Sequence, residues 1–463
     1  MNNKDGKAIV AILILLIVIL AALFLWYLAI MKHFGLGGDG EDTPSPTPAS
    51  TDDTPLSDAD PSDSDPDDTD QTDPDSDPGD SQGSDQNGDM ASPGAFDFTL
   101  FDIKTEHPGI QTQLDDIAKQ YGCAAVSLVV YDGKAGEFFT YEFGNANIEE
   151  RQKVTSYTKF RIASLSKLVT AVCVLTLVDE GYISLDTDVS NYFGYEVRNP
   201  HFPDTPITVR MLMNHTSSLF DSGSFLVSRD RESSESVRYL LERGSSFRRN
   251  NPGSIFEYSN FNYGVLGSLC ERVTGKSLDT YSREVIFNPL EIDAAYVPRN
   301  LNDTSNIAVS YDDSHSVTQS VAVQLAIAQS DTPGHDLHLA HANLTISAAD
   351  YAKILVMLGN GGELGGVRIL SPELVAEIHK TDVAGTPYDQ GLATRYSVGD
   401  FLPREGFYWH TGSSYGNFTQ YVYKLSTNRG VVVITTGASV TRLPSGMTDV
   451  CTDLAKAAWK VFG

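Results

Sequence analysis

Apolar and polar positions divide this chain into three stretches. From Ala8 to Met31 there are 24 consecutive residues without a charge, rich in Ile, Leu, Val and Ala. A helix needs about 20 apolar residues to cross a bilayer, so the segment predicts one membrane-spanning helix. A core helix of that length would show a polar face. A cleavable signal peptide would have an apolar run of about 7 to 15 residues and a small-residue cleavage site, and neither is evident, so the segment reads as an uncleaved anchor. Lys4, Lys7 and the free amino terminus before it outweigh Lys32 and His33 after it. That bias puts the N terminus in the cytoplasm and the remainder on the extracellular face of the cell membrane.

Between Gly35 and Gly94 the sequence turns to Asp, Ser, Thr, Pro and Gly, as in TDPDSDPGDSQGSDQNGD (Thr72 to Asp89). So few apolar groups cannot offset the entropy of ordering the chain, and the stretch predicts an extended, disordered spacer. From Ala95 to Gly463 the patterning is globular. AAVSLVVYDGKAGEFFTYEFG (Ala124 to Gly144) places two β-rich runs around Asp132-Gly133, a hairpin signal. FTQYVYKL and VVVITTG, joined through Asn428 and Gly430, predict a second hairpin, and Val450, Leu454, Ala458 and Val461 mark a last helix at helical spacing. Strands at both ends with a long helical middle predict an α+β unit whose terminal strands share one antiparallel sheet. The organisation expected is therefore 1–34 cytoplasmic N terminus and anchor, 35–94 linker, and 95–463 globular domain.

Charge changes this picture little. The formal charge is −28, but the 35–94 stretch alone holds 18 acidic residues and no basic ones. The acidity mostly reports the tether, and such a surface argues against nucleic-acid binding. Asp73, Asp75 and Asp77 before Gly79 and Asp80 look like the start of a calcium loop, but no Glu stands at the closing position, so they read as solvated spacer. Cys123, Cys173, Cys270 and Cys451 lie far apart in apolar patterns and read as buried free thiols.

The candidate chemistry begins in FRIASLSKLVTAVCVLTLVDEG (Phe160 to Gly181), which starts with Ser at a helix N terminus, continues apolar on most faces and stops at Gly181. Ser164 and Lys167 are i and i+3 on one helix face. A serine hydroxyl needs an adjacent base, and a partly desolvated lysine can supply one. A helix N terminus adds N–H groups and a positive dipole end suited to an oxyanion. Alone, S-x-x-K arises by chance in most long chains, and Ser166 is a decoy. Two further motifs accompany it: Tyr258-Ser259-Asn260 in NPGSIFEYSNFNYG, and His410-Thr411-Gly412 in EGFYWHTGSSYGNF.

With these three motifs in order, the chain resembles the serine β-lactamase and penicillin-binding-protein superfamily, whose signature is S-x-x-K, S-D-N and K-T-G. It is similar in particular to the branch of class C β-lactamases, D,D-peptidases and esterases that carries Y-x-N in place of S-D-N. The likeness runs from about Asp115 to Gly463 and includes ITVRMLMNHTSSL (Ile207 to Leu219) and LGNGGELGGVRILSP (Leu358 to Pro372). It implies a β-lactamase/transpeptidase-like fold, an antiparallel sheet flanked by helices with an all-helical lobe. It implies that Ser164 attacks a carbonyl, that Lys167 helps deprotonate it, and that Tyr258 carries protons to the leaving group and helps activate the deacylating water. Asn260 would hold Lys167 and the substrate amide. His410, Thr411 and Gly412 would line the substrate strand, and the backbone N–H groups of Ser164 and Ser413 would form the oxyanion hole.

His410 departs from the Lys of most β-lactamases, which supplies a fixed charge for a substrate carboxylate. Histidine, with an unperturbed pKa of about 6.5, is neutral for much of the time near neutral pH. The variant is similar to that of D,D-carboxypeptidases, D-amino-acid peptidases and carboxylesterases. His215 matches a segment whose role looks structural. His335, His338 and His341 have i, i+3, i+6 spacing, but no carboxylate or cysteine pattern completes a metal site and they read as loop residues. The function expected is a membrane-anchored serine hydrolase without cofactor or metal. Its substrate would be a D-alanyl peptide or a related small amide or ester, with a β-lactamase, a broad esterase or a slowly turning penicillin-binding sensor as alternatives.

Overall fold

The computed structural model describes residues 98–463 apart from 224, 226–235, 331, 333–336 and 385–386. The apolar segment Ala8 to Met31 and the acidic stretch Gly35 to Gly94 lie outside the described residues. Among the described residues no helix is long and apolar enough to cross a membrane.

In chain order the main elements begin with β1 (Thr99–Asp102), α1 (Pro108–Gln120), β2 (Ala125–Asp132) and β3 (Glu137–Asn147). The helical middle contains α2 (Ser166–Asp179), α3 (Asn260–Thr274), α4 (Leu339–Ala342) and α5 (Ala348–Gly359). After it come β4 (Asp389–Gln390), β5 (Arg395–Val398), β6 (Gly406–Ser414), β7 (Asn417–Lys424), β8 (Arg429–Thr436) and α6 (Asp449–Ala458). The strands form one sheet in the order β1-β3-β2-β8-β7-β6-β5-β4, with the short strand Gln152–Lys153 added to β3. Both expected hairpins are present and are neighbours, because β2 pairs antiparallel with β8 from Ala125↔Thr436 to Asp132↔Arg429.

Three expectations need correction. The sheet is mixed rather than antiparallel throughout, since β1 runs parallel to β3. A tight turn forces antiparallel pairing, whereas β1 is separated from the hairpin by α1, and such a connection permits a parallel pair. The lobe is not wholly helical: three two-stranded ladders interrupt or flank it, Phe160–Arg161 with Thr345–Ile346, Ser310–Tyr311 with Val317–Gln319, and Glu363–Leu364 with Val367–Arg368. The second hairpin turns before Gly430, which already lies in β8, where a Cβ would come within 2.4 Å of the Tyr131 hydroxyl. Asn428 takes the left-handed conformation at that turn, φ 53°. In the first hairpin the Asp132 carboxylate accepts from the N–H groups of Lys134 and Ala135 at 3.0 and 3.1 Å, which closes a four-residue turn.

Alternation along the central strands sends side chains to two cores. Val129, Tyr131, Val432 and Ile434 lie on the face that packs against α5, while Val126, Leu128, Val130, Val431 and Val433 face α1 and α6. Two-sided burial explains the near-continuous apolar runs of β2 and β8. All four cysteines are buried and unpaired. Helix α2 is buried from Ser166 to Leu177 and packs on α3 and α4, while the turn that precedes it, residues 163–165, meets β6 and β7, where the motif residues gather.

Candidate active site

The turn before α2 is a 3₁₀ segment, Ala163–Leu165, so Ser164 sits on this turn and the α-helix begins two residues later than expected. Ala163 has φ +50°, a left-handed conformation costing an L-residue about 1 to 3 kcal/mol. Ser166, the decoy, holds this shape: its hydroxyl donates to the Ala163 carbonyl at 2.6 Å and accepts from the Leu344 N–H at 3.1 Å. Ser164 remains partly exposed and opens into a cavity of about 830 Å³ that Asn260, His341, Ser413 and Tyr415 also line.

Lys167 is fully buried one turn later. Its ammonium nitrogen lies 3.1 Å from Ser164 Oγ, 2.8 Å from Asn260 Oδ1 and 2.9 Å from the His341 carbonyl. Burial holds its pKa below the ordinary lysine range; Tyr258 and Asp221 pull against that shift and Arg395 adds to it. Tyr258 sits over the same nitrogen, 5.1 Å from ring centre to Nζ. Burial alone would raise the phenol, but the Lys167 and Arg395 charges outweigh it and leave its pKa below the usual tyrosine value.

The segment carrying Tyr258 is fixed from behind. His215 packs its ring 4.5 Å from the Tyr258 ring, and its Nδ1 accepts from the Ser259 N–H at 3.2 Å. Burial pushes the His215 pKa well down, so it is a neutral acceptor that holds this backbone. Ser259 caps α3 in an extended conformation without a side-chain cap of its own. Asp221 supplies one instead, accepting from the Phe261 N–H at 3.0 Å and the Ser259 hydroxyl at 3.1 Å.

The opposite wall is β6. His410 is buried, its Nδ1 2.7 Å from the Thr411 carbonyl, and burial with the Arg395 and Lys167 charges pushes its pKa well below the usual histidine value. It is therefore neutral across the physiological range. The fixed cation stands one strand away: Arg395, 5 % exposed, packs its guanidinium 5.3 Å from the Tyr258 ring centre, 4.4 Å from Tyr388 and 5.2 Å from Trp409. Its Nη1 reaches to 3.5 Å from Thr411 Oγ1, and among the described residues no carboxylate forms a salt bridge with it.

Gly412 brings β6 against the serine turn. A Cβ there would lie 2.3 Å from Thr419 Oγ1 and 2.5 Å from the Ile162 carbonyl, which are themselves hydrogen-bonded at 2.9 Å. Gly412→Ala must therefore lift β6, and with it Ser413, away from Ser164. The expected result is a loss of about 10²-fold in acylation rate, since a displacement of about 1 Å costs that much, with about 1 to 3 kcal/mol of destabilisation from overpacking. Acylation kinetics and urea unfolding check both.

The structure thus brings together every sequence-predicted site residue: Ser164, Lys167, Tyr258, Asn260, His410, Thr411, Gly412 and Ser413. Sequence reasoning missed Arg395, Asp221 and the His341 carbonyl. A single arginine in the β-like run RYSV was one available signal, and Asp221 stands two residues past the quoted NHTSSL segment. His338 lies in the turn that caps α4, as a loop residue would, His341 lies in α4, and both wall the cavity, with 3.2 Å between their Nδ1 and Nε2 atoms. His335 lies outside the described residues. Among the described residues no three His, Cys, Asp or Glu side chains converge as metal ligands.

A family model described as Beta-lactamase matches residues 110–446. Protein flp of Staphylococcus aureus (strain MRSA252) is 28% identical over 210 residues, 44% of this chain and 41% of that protein. The chain thus spans about two fifths of the length of that curated relative. Among solved structures, D-amino acid amidase from Ochrobactrum anthropi SV3 is similar at 22% identity and a TM-score of 0.60, over 77% of this chain and 98% of that one. D-alanine carboxypeptidase AmpC from Burkholderia cenocepacia is similar at 18% identity and a TM-score of 0.58, over 78% and 99%.

Proposed function

Because the chain belongs to the Beta-lactamase family, we propose that it hydrolyses D-alanyl peptides, or closely related amides and esters, through an acyl-enzyme on Ser164. Lys167 takes the hydroxyl proton as Ser164 Oγ bonds to the carbonyl carbon, and the backbone N–H groups of Ser164 and Ser413 receive the oxyanion. The carbonyl–nitrogen bond then breaks, with Tyr258 delivering a proton to the departing amine. Water attacks the ester, its proton passes to the Tyr258–Lys167 pair, and Ser164 recovers its own.

The observation that carries the substrate class is Arg395. His410 is buried and neutral, so it offers no charge to a carboxylate, while the buried guanidinium beside Thr411 does. A buried cation without a carboxylate partner among the described residues is costly by itself and favours an anionic ligand. A free C-terminal carboxylate on the leaving residue would lie there. The amidase and the carboxypeptidase named above fit the same class of chemistry.

The test compares D-alanine release from a D-Ala-D-Ala peptide with release from its C-terminal amide, beside a p-nitrophenyl ester and a chromogenic cephalosporin. The free acid is expected to be the best substrate. Arg395→Gln should lower its kcat/KM by about 10²-fold, the loss of one charged hydrogen-bonded contact, and lower that of the peptide amide by clearly less, since the amide loses only the effect of the Arg395 charge on Tyr258 and Lys167. Dominant cephalosporin turnover overturns the reading.

We also infer that the enzyme works at the outer face of a membrane, held by Ala8 to Met31. What supports this is the uncharged length of that segment and the charge bias before it. About sixty residues of acidic spacer would give a root-mean-square reach of about 40 Å, suited to cell-wall peptide.

A further inference from the structure

Asn260 joins two charged residues through an amide whose two ends are nearly alike in shape and opposite in chemistry. Its Oδ1 accepts from Lys167 Nζ at 2.8 Å, and its Nδ2 donates to Asp221 Oδ2 at 2.7 Å. Which end faces Lys167 is set by hydrogen-bonding partners alone. Asp221 as a carboxylate can only accept. Its other oxygen is occupied by the Phe261 N–H at 3.0 Å and the Ser259 hydroxyl at 3.1 Å, which anchor it to the start of α3. It therefore holds Nδ2 on its own side and leaves Oδ1 for Lys167.

The orientation matters for the nucleophile. To take the Ser164 proton, Lys167 must be a neutral amine with two N–H bonds and one lone pair. Its neighbours are Asn260 Oδ1, the His341 carbonyl at 2.9 Å and Ser164 Oγ at 3.1 Å. The first two can only accept, so they take both N–H bonds and leave the lone pair pointing at the Ser164 hydroxyl. With the amide reversed, an Asn260 N–H would occupy the lone pair and a Lys167 N–H would turn toward Ser164. The base would then be misdirected although every residue remained in place.

We propose that Asp221 is a positioning residue that aims the Lys167 lone pair at Ser164 by fixing the Asn260 amide. The inference rests on the reading of Ser164 as nucleophile and Lys167 as its base. The transferred proton leaves Oγ for Nζ, and Asp221 itself exchanges none.

Two variants of the full-length protein separate this role from simple capping. In Asp221→Asn the new side chain keeps an oxygen for the Phe261 N–H and presents NH₂ to Asn260, which must reverse. In Asp221→Ala the amide is released, and the Lys167 charge still favours Oδ1. Labelling by a fluorescent penicillin, followed in time by gel and intact mass, gives the acylation rate. D221N is expected to acylate about 10²-fold more slowly than the wild type, and more slowly than D221A. A capping role predicts the reverse, because Asn caps helices well and Ala does not; D221N acylating as fast as or faster than D221A overturns the proposal.

Thermal unfolding identifies any variant that fails to fold. If D221A is that variant, the double variant Asp221→Asn/Asn260→Asp decides: it restores an acceptor-only group facing Lys167 and should acylate faster than D221N at alkaline pH. No recovery overturns the proposal. Labelling that persists in Ser164→Ala defeats the underlying reading instead, whatever the order of the Asp221 variants.

Discussion

Replacing Ser164 by alanine is expected to remove covalent labelling by penicillin and to lower peptide and ester turnover by about 10⁴-fold or more, the scale of losing the nucleophile of a serine hydrolase. The neighbouring Ser166 cannot substitute, because its hydroxyl donates to the Ala163 carbonyl and accepts from Leu344 inside the core. Folding should be almost unaffected. Ser164 is partly exposed to the cavity, and Lys167 keeps Asn260 and His341 when the hydroxyl is gone. Intact mass spectrometry with and without substrate reads the result directly: an adduct of unchanged yield on the alanine variant refutes the nucleophile.

Lys167→Met is expected to cost about 10³-fold in acylation, within the range for a general base, while methionine fills the buried channel with similar volume. The pH profile distinguishes loss of a base from loss of shape. In the wild type, acylation rises with pH as Lys167 sheds its proton. Burial lowers the pKa of this group, so the rise comes at lower pH than an exposed lysine would give. Of the groups around it, Tyr258 and Asp221 oppose the shift and Arg395 assists it, while His215, His341 and His410 are held neutral by burial. Methionine has no proton to lose, and the residual rate of the variant should lack that limb. A limb that persists unchanged would mean that another group, with Tyr258 first in line, acts as the base.

The three motifs were legible because each is short in sequence and chemically unusual in combination. Ser164 with Lys167, and Tyr258 with Asn260, are fixed by local geometry at the starts of two helices, and local geometry is what spacing encodes. His410 was legible as a departure, but its neutrality follows from burial and from the Arg395 and Lys167 charges, which belong to three separate segments. Arg395 and Asp221 escaped for the same reason. Each acts on a residue outside its own segment: Arg395 on Thr411 across a strand pair, Asp221 on Asn260 at the start of α3. The hairpins were visible in their alternation and turn residues. The parallel pairing of β1 was not, because a four-residue edge strand carries no pattern that states its direction.

The closure of the sheet has a consequence for how the enzyme is made. Val129 in β2 pairs with Val432 in β8, so the centre of the sheet joins residues some three hundred positions apart. Contacts of such long sequence separation are slow to form, since the loop they close must be ordered first. A ribosome will have delivered Ser164, Lys167, Tyr258, Asn260 and His410 before β8 exists, and the strand pair β6–β7 cannot be joined to β2 until it does. The domain is therefore expected to mature after synthesis rather than during it. A chain stopped before Arg429 would carry the whole catalytic inventory and have no active site.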